Sequence, residues 1–125
     1  MANRFEGRGN LGNDPVLKYV DVANEKRAVC ELRIYFDRQV QDGDDYREQG
    51  GFWLNVAYWG KRAETASKLL AKGCRVLVTG TLVNEEWTDR DSGEERSRLM
   101  LNASSVDLDM IRIANVKFTD RKGEE

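Results

Sequence analysis

The 125-residue chain contains no histidine, only two cysteines and no long hydrophobic run. Without histidine, the commonest general base, the usual catalytic triad and most zinc sites are excluded, so we expect a binding protein rather than an enzyme. Cys30 and Cys74 lack the close spacing of a metal or redox motif and lie in apolar patterns, which predicts free thiols and no disulfide. No segment approaches the roughly 20 apolar residues of a membrane span, and residues 1–6 lack the hydrophobic part of a secretion signal. We therefore expect a cytoplasmic protein with no membrane contact.

An excess of basic charge is also missing, because 20 basic and 22 acidic residues give a formal net charge of -2. Phosphates are normally met by a basic surface, so any nucleic-acid surface on this chain must be local. The hydrophobic fraction of 40% suits one domain with a modest core.

Three short motifs formally match cofactor or metal sites, and each fails on its context. Residues 7–12 have the glycine spacing of a dinucleotide fingerprint, but no apolar strand precedes them and Pro15 follows where a helix should run. Residues 60–62 lack the hydroxyl side chain and the upstream glycine of a phosphate loop. Residues 42–45 are as acidic as a calcium loop, but their glycine is misplaced, and a solvated hairpin loop explains them. We predict no cofactor and no metal, and no catalytic residue stands out.

The first half of the chain has the alternating pattern of β-strands. Residues 28–36 alternate cleanly, and together with residues 16–22 they predict a hairpin around a polar turn at 23–27. Residues 37–51 are polar and contain glycines, which predicts a long mobile loop.

After residue 60 the period becomes helical, with Ala63, Ala66 and Leu70 on one face and Gly73 placed to end the helix. Residues 75–88 and 97–103 then predict a second hairpin.

Three strands, a helix and two more strands are the order of a small five-stranded Greek-key barrel of the OB type, in an otherwise all-β fold. A four-stranded sheet with one covering helix stays open as the alternative, because periodicity does not exclude it. The type of the apolar stretch at 106–116 is also left open.

The tryptophans are the most informative residues. Alternation over residues 51–60 puts Trp53 and Trp59 on one face, and the opposite face, predicted to meet the core, carries Phe52, Leu54, Val56 and Tyr58. Exposed indoles can stack on nucleic-acid bases, at about 1 to 3 kcal/mol per base, without reading a base sequence. The plainer explanation is that a second layer or a partner subunit covers them.

Basic residues accompany these tryptophans. Lys61 follows Trp59 directly, Lys72 and Arg75 bracket the predicted helix end, and Arg33 lies on an outward strand face. A solvated helix face is the plainer explanation for basic residues such as Arg62 and Lys68.

Six separated blocks of sequence occur in the order of a known family. They are residues 9–15, 53–59, 60–64, 70–73, 80–82 and 87–89. Over most of residues 3–113, the chain resembles bacterial single-stranded DNA-binding proteins. The resemblance implies an OB-fold domain at 1–113 and usually a homotetramer that wraps single-stranded DNA. It also implies base stacking on residues matching Trp53, Trp59 and Trp87 and phosphate contacts from residues matching Lys18, Lys61 and Lys72. Residues 114–125 are expected to form a short charged end beyond that domain.

The chain departs from the family pattern at several positions. Val40 stands where well-studied members have another stacking tryptophan, so that stack is expected to be missing. Residues 84–86 are acidic or neutral where the pattern is basic, and Asn55 replaces a common arginine, which predicts a weaker phosphate track. The apolar-poor residues 4–8 leave the usual dimer contact open. The ending at 121–125 does not support recruitment of replication or repair enzymes through the family's acidic tip, and a short, divergent member from a mobile element would account for it.

We therefore predict a protein that binds and protects single-stranded DNA in replication, recombination or repair, as a homo-oligomer (tetramer or dimer). The predicted nucleic-acid-binding residues are Trp53, Trp59, Trp87, Lys61, Lys72, Arg33, Arg75 and Lys18. Two alternatives stay open. One is an OB module whose tryptophan face binds a protein, and the other is a single-stranded RNA binder, because a stacking platform does not inspect the 2′-hydroxyl.

Overall fold

The computed structural model describes residues 2–121, which form eight β-strands, one α-helix and one short 3-10 helix. The strands are β1 (Phe5–Leu11), β2 (Val16–Val22), β3 (Glu25–Phe36), β4 (Gln39–Asp42), β5 (Asp45–Glu48), β6 (Phe52–Trp59), β7 (Arg75–Thr88) and β8 (Glu95–Leu108). Helix α1 (Lys61–Leu69) connects β6 to β7, and the 3-10 helix (Met110–Arg112) follows β8. Within residues 2–121, no helix is long and apolar enough to cross a bilayer.

Five strands close into a ring in the order β1, β7, β8, β6, β3, because β1 pairs with β7 along most of its length and with β3 at its end. Strand β2 adds to this ring by pairing along β3. The pairs are antiparallel except for β6 with β8, which run parallel. Ring closure rules out the alternative of a four-stranded sheet under one helix.

The core lies inside the ring. Ile34, Val76, Val78 and Leu101 are completely buried there, and α1 contributes its small buried residues to the same cluster. Alternating residues of β6 also enter this core, with Leu54, Val56 and Tyr58 only 4%, 1% and 6% exposed.

Phe52 is an exception to the predicted core face of β6. It lies at the start of the strand and keeps 47% of its surface exposed, so its assignment to the core was wrong. Its ring packs against Phe36 and Phe5, at centroid distances of 5.9 and 6.2 Å, at the margin of the sheet.

The turn between β2 and β3 is tighter than predicted. Ala23 and Asn24 both have positive φ angles, 51° and 67°. Such a pair is required in two-residue turns whose twist matches that of the strands they join. Strand β3 therefore begins at Glu25.

Residues 37–51, predicted as a long mobile loop, contain the two strands of the β4–β5 hairpin, which that prediction missed. The turn of this hairpin coincides with the hairpin loop predicted at residues 42–45. The pairing runs from Gln39 opposite Glu48 to Asp42 opposite Asp45. Neither strand has an apolar face turned to the core, so alternation of hydrophobicity could not reveal it.

Helix α1 ends at Leu69, well before Gly73, so the predicted stop was wrong. Leu70 is extended, with φ of -86° and ψ of 153°, and is buried in the core. Gly73, at a φ of 91°, instead serves the turn into β7, where its N–H donates to the Leu11 carbonyl at 2.8 Å.

The apolar stretch at 106–116 divides into the end of β8, the 3-10 helix and an irregular segment. Residues 113–121 are in neither helix nor strand. The predicted charged end at 114–125 is described only as far as residue 121, and residues 122–125 lie outside the described part.

Candidate nucleic-acid interface

The tryptophans lie on the outer face of the sheet. Trp53 and Trp59 alternate with the buried residues of β6 and are 48% and 40% exposed. Trp87 is 42% exposed on the part of β7 that continues beyond the ring and pairs only with β8. The predicted outward orientation of Trp53 and Trp59 is confirmed.

The strand register brings charged side chains to the same face. Arg33 of β3 lies opposite Asn55, two residues from Trp53, and Glu31 lies opposite Ala57, two residues from Trp59. Because side chains alternate across a strand, each of these pairs shares its face with the neighbouring tryptophan.

Two adjoining hollows on this face form what we call the outer groove. Both are lined by Glu31, Ala57, Glu85 and Met100. One continues to Arg33, Arg98 and Asp14, and the other to Lys18 and Trp59.

Trp53 lies next to Arg33 of the outer groove and is held by its neighbours. Its ring centroid is 5.2 Å from that of Tyr35, and the guanidinium carbon of Arg33 is 5.4 Å from the Trp53 centroid. Arg33 Nη1 also donates a hydrogen bond to Asn55 Oδ1 at 3.0 Å. The Arg33 guanidinium therefore lies over one face of the indole and helps to fix the orientation of the Trp53 ring.

Trp87 has an equivalent arginine that sequence reasoning missed. The guanidinium carbon of Arg98 is 5.5 Å from the Trp87 centroid, and Arg98 Nη2 is 3.0 Å from Glu85 Oε1. The available signal is the alternation of Arg98, Met100 and Asn102 with Leu99, Leu101 and Ala103, which assigns Arg98 to the outer face of β8. What it did not show was that β7 brings Trp87 and Glu85 beside it.

The β4–β5 hairpin is tied to this same region through Tyr35. Its hydroxyl donates to Glu48 Oε1 at 2.7 Å, and the same oxygen accepts the N–H of Gly51 at 2.9 Å. The hydrogen bond from Tyr35 lowers the pKa of Glu48 and raises the pKa of Tyr35. The carboxylate thus anchors the hairpin next to Trp53.

The three predicted lysines differ in their position relative to the outer groove. Lys18 lines the outer groove, and its Nζ is 2.8 Å from Glu31 Oε1. Lys61 is exposed at the first position of α1, directly after Trp59. Lys72 is exposed, and its backbone N–H donates to Asp14 Oδ1 at 2.9 Å. Lys72 lines the hollow beside the 3-10 helix and not the outer groove.

Arg75 lies away from the outer groove, at the opposite end of β7 from Trp87. Its Nη1 is 2.7 Å from Asp37 Oδ1, and its Nε is 3.8 Å from Asp109 Oδ2. The hydrogen bond from Arg75 lowers the pKa of Asp37 against the opposing effect of burial. Its phosphate contact stays a prediction, and one that requires the guanidinium to leave two carboxylates.

Few features of the described residues suggest a cofactor site, a metal site or a reactive thiol. Residues 7–12, the formal dinucleotide fingerprint, belong largely to β1, and a strand rather than a helix follows them. Within residues 2–121, no group of three or more histidine, cysteine, aspartate or glutamate side chains could hold a metal ion. Cys30 and Cys74 are both free, and burial raises the pKa of the Cys30 thiol.

Comparison with known proteins finds similarity to single-strand binding proteins, both in a family model and in individual relatives. A family model described as "Single-strand binding protein family" matches residues 2–109. Single-stranded DNA-binding protein 1 of Synechocystis sp. is 31% identical over 100 residues, covering 80% of this chain and 77% of that one. The single-stranded DNA-binding protein of Wolinella succinogenes is 32% identical over 108 residues, covering 86% of this chain and 64% of that one.

Solved structures show the same fold. The small single-stranded DNA-binding protein of Streptomyces coelicolor superposes with a TM-score of 0.72 at 23% identity, over 90% of this chain and 98% of that one. A deletion mutant of the single-stranded DNA-binding protein of Thermus aquaticus gives 0.68 at 24% identity, over 88% of this chain and 51% of that one. The prediction of a mostly β fold of the OB type with one short helix is confirmed.

Proposed function

Because the chain belongs to the single-strand binding protein family, we propose that it binds and protects single-stranded DNA with little sequence specificity. The observation that carries this proposal is the set of three half-exposed indoles on one sheet face, beside a groove that also contains basic side chains. Its cellular role on this proposal is in replication, recombination or repair in the cytoplasm. Binding, and not catalysis, is also what the names of its relatives describe for those proteins.

Base stacking supplies the sequence-independent part of the proposed binding. Trp53 and Trp59 are six positions apart on β6, which corresponds to about 20 Å at the usual rise of a strand. The two indoles therefore stack on different bases of one strand, while Trp87 takes a base on the extended part of β7. Each stack contributes about 1 to 3 kcal/mol.

Phosphate contacts supply the electrostatic part. Lys18, Arg33 and Arg98 line the groove, and Lys61 lies next to Trp59. Lys72 and Arg75 extend the proposed path toward the hollow beside the 3-10 helix. For each phosphate neutralised on a single strand, the logarithm of the affinity falls by about 0.7 per tenfold increase in salt.

Assembly into a homo-oligomer, a dimer or a tetramer, is part of the same proposal. Sedimentation of the purified chain over a range of concentrations measures it directly. A strictly monomeric protein at all concentrations would contradict this part and leave DNA binding untouched.

The decisive experiment is quenching of intrinsic tryptophan fluorescence by a deoxythymidine oligomer. Because the three tryptophans of the chain all lie on the proposed binding face, saturable quenching is expected. Competition with the matching ribo-oligomer distinguishes DNA from RNA as the preferred ligand. The proposal fails if the oligomer neither quenches the emission nor binds in a direct assay.

A further inference from the structure

Besides Asp14, the outer groove contains two carboxylates that are each paired with a cation of the same groove. Lys18 Nζ lies 2.8 Å from Glu31 Oε1, and Arg98 Nη2 lies 3.0 Å from Glu85 Oε1. Both glutamates line both hollows, so they face the path along which a nucleic-acid strand would run. These two cations are thus already neutralised within the protein.

From this arrangement we infer that Glu31 and Glu85 are built-in competitors of phosphate, which lower the affinity of the outer groove for single-stranded DNA and weaken its dependence on salt. The inference rests on the proposed function and adds a specificity-determining pair of acidic residues to it. Bound DNA displaces each glutamate from its cation.

Exposure of the two ion pairs makes this exchange feasible. The side chains of Lys18 and Glu31 are 56% and 49% exposed, and those of Arg98 and Glu85 are 50% and 41% exposed. Ion pairs in contact with water are weak, so a phosphate can take over the cation. A displaced carboxylate still repels the incoming phosphate, because both lie within the screening length of about 10 Å at 0.1 M salt.

The Glu85 pair also affects stacking. Arg98 is shared between Glu85 and the ring of Trp87. When a phosphate draws Arg98 away from Glu85, the contact between the guanidinium and the indole changes at the same time. Stacking on Trp87 and phosphate binding by Arg98 are therefore coupled.

The salt dependence of binding distinguishes competition between the glutamates and phosphate from a purely structural role of the two ion pairs in the β-sheet. Release of counterions from DNA makes binding weaken with salt, whereas each carboxylate uncovered on binding takes up a cation and offsets part of that release. Replacing a glutamate by glutamine removes this uptake. The slope of log affinity against log salt then steepens, by no more than the value of about 0.7 that one phosphate of a single strand contributes.

The test compares Glu31→Gln and Glu85→Gln with the unmodified chain, by titration of a deoxythymidine oligomer between about 50 and 200 mM salt. We expect each variant to bind about twofold to fivefold more tightly at the low-salt end, as the loss of one exposed ion pair allows, with a steeper slope. The matched control is Glu6→Gln, because Glu6 pairs with Arg4 at 3.5 Å and lines neither hollow of the groove. Circular dichroism verifies that all variants fold.

Two results would overturn the inference while leaving the proposed function intact. In one, the unmodified chain binds and the two groove variants bind no more tightly. In the other, Glu6→Gln raises the affinity as much as they do, which assigns the effect to net charge. Failure of the unmodified chain to bind the oligomer at any salt concentration instead rejects the proposed function itself.

Discussion

Gly12 lies against the edge of Trp53, so closely that a Cβ added to Gly12 would be 2.6 Å from Cζ3 of the indole. The backbone there is also fixed, because the Gly12 N–H donates to the Arg33 carbonyl at 2.8 Å. The glycine thus provides the space in which the Trp53 ring lies.

Gly12→Ala is expected to move the Trp53 ring and weaken binding of single-stranded DNA by about 1 kcal/mol, part of the contribution of one stack. Fluorescence titration with a deoxythymidine oligomer measures the change. Thermal unfolding serves as the control, since the ring is half exposed and can move without opening the core. Unaltered affinity would show that this position of the indole is not needed for binding.

Trp59→Ala and Trp87→Ala are each expected to reduce the free energy of DNA binding by about 1 to 3 kcal/mol, because each removes one stacking platform. Phe118→Ala is a suitable control, since Phe118 is a highly exposed aromatic residue outside the strands. If the tryptophan variants bind like the control, stacking on these two residues is rejected.

Lys61→Gln is expected to make the salt dependence of binding shallower by about 0.7, because this lysine neutralises one phosphate. Lys18→Gln is expected to make it shallower by less, because Glu31 already offsets part of the counterion release at Lys18. The measurement is the slope of log affinity against log salt for a single-stranded oligomer. Lys117→Gln removes the same charge from the exposed segment after the 3-10 helix and should leave the slope unchanged. If Lys18→Gln and Lys61→Gln leave the slope unchanged, as Lys117→Gln does, then Lys18 and Lys61 are not part of the interface.

Asp37→Asn is expected to lower the free energy of unfolding at neutral pH by about 1 to 3 kcal/mol, because it removes a hydrogen-bonded carboxylate from Arg75. The folded-state pKa of Asp37 is lowered, mainly by the hydrogen bond from Arg75. Its contribution to stability is therefore present above the unfolded pKa of about 4 and is lost as the pH falls through the lower folded value.

Denaturant unfolding of Asp37→Asn between neutral and acidic pH tests this expectation. The variant should lose less stability than the unmodified chain below about pH 4, because the titrating carboxylate is gone. Asp44→Asn is the control, at an exposed position in the β4–β5 turn. Parallel curves for the unmodified chain and Asp37→Asn would contradict the role given to this ion pair.

Local patterns in the sequence were sufficient to assign the inward and outward faces of a strand such as β6, one face of which meets the core. The period of two in β6 separated Trp53 and Trp59 from Leu54 and Val56, since a strand with one buried face tolerates no shift of its side chains. The same reasoning failed at Phe52, because at the end of a strand the ring has no core layer to enter. It failed again for the β4–β5 strands, which are polar and contribute no side chain to the core.

The amino-acid order determined β2, β3, β6, β7 and β8, the single helix and the outward direction of Trp53 and Trp59, because these follow from short-range periodicity and burial. Contacts between distant segments were decided only by the folded chain. Closure of the ring through β1, the meeting of Arg98 with Glu85 and Trp87, and the pairing of Arg75 with Asp37 depend on strand register. A charge pattern along one strand does not specify which carboxylate the next strand will bring within hydrogen-bonding distance, and that pairing governs which cations remain for phosphate.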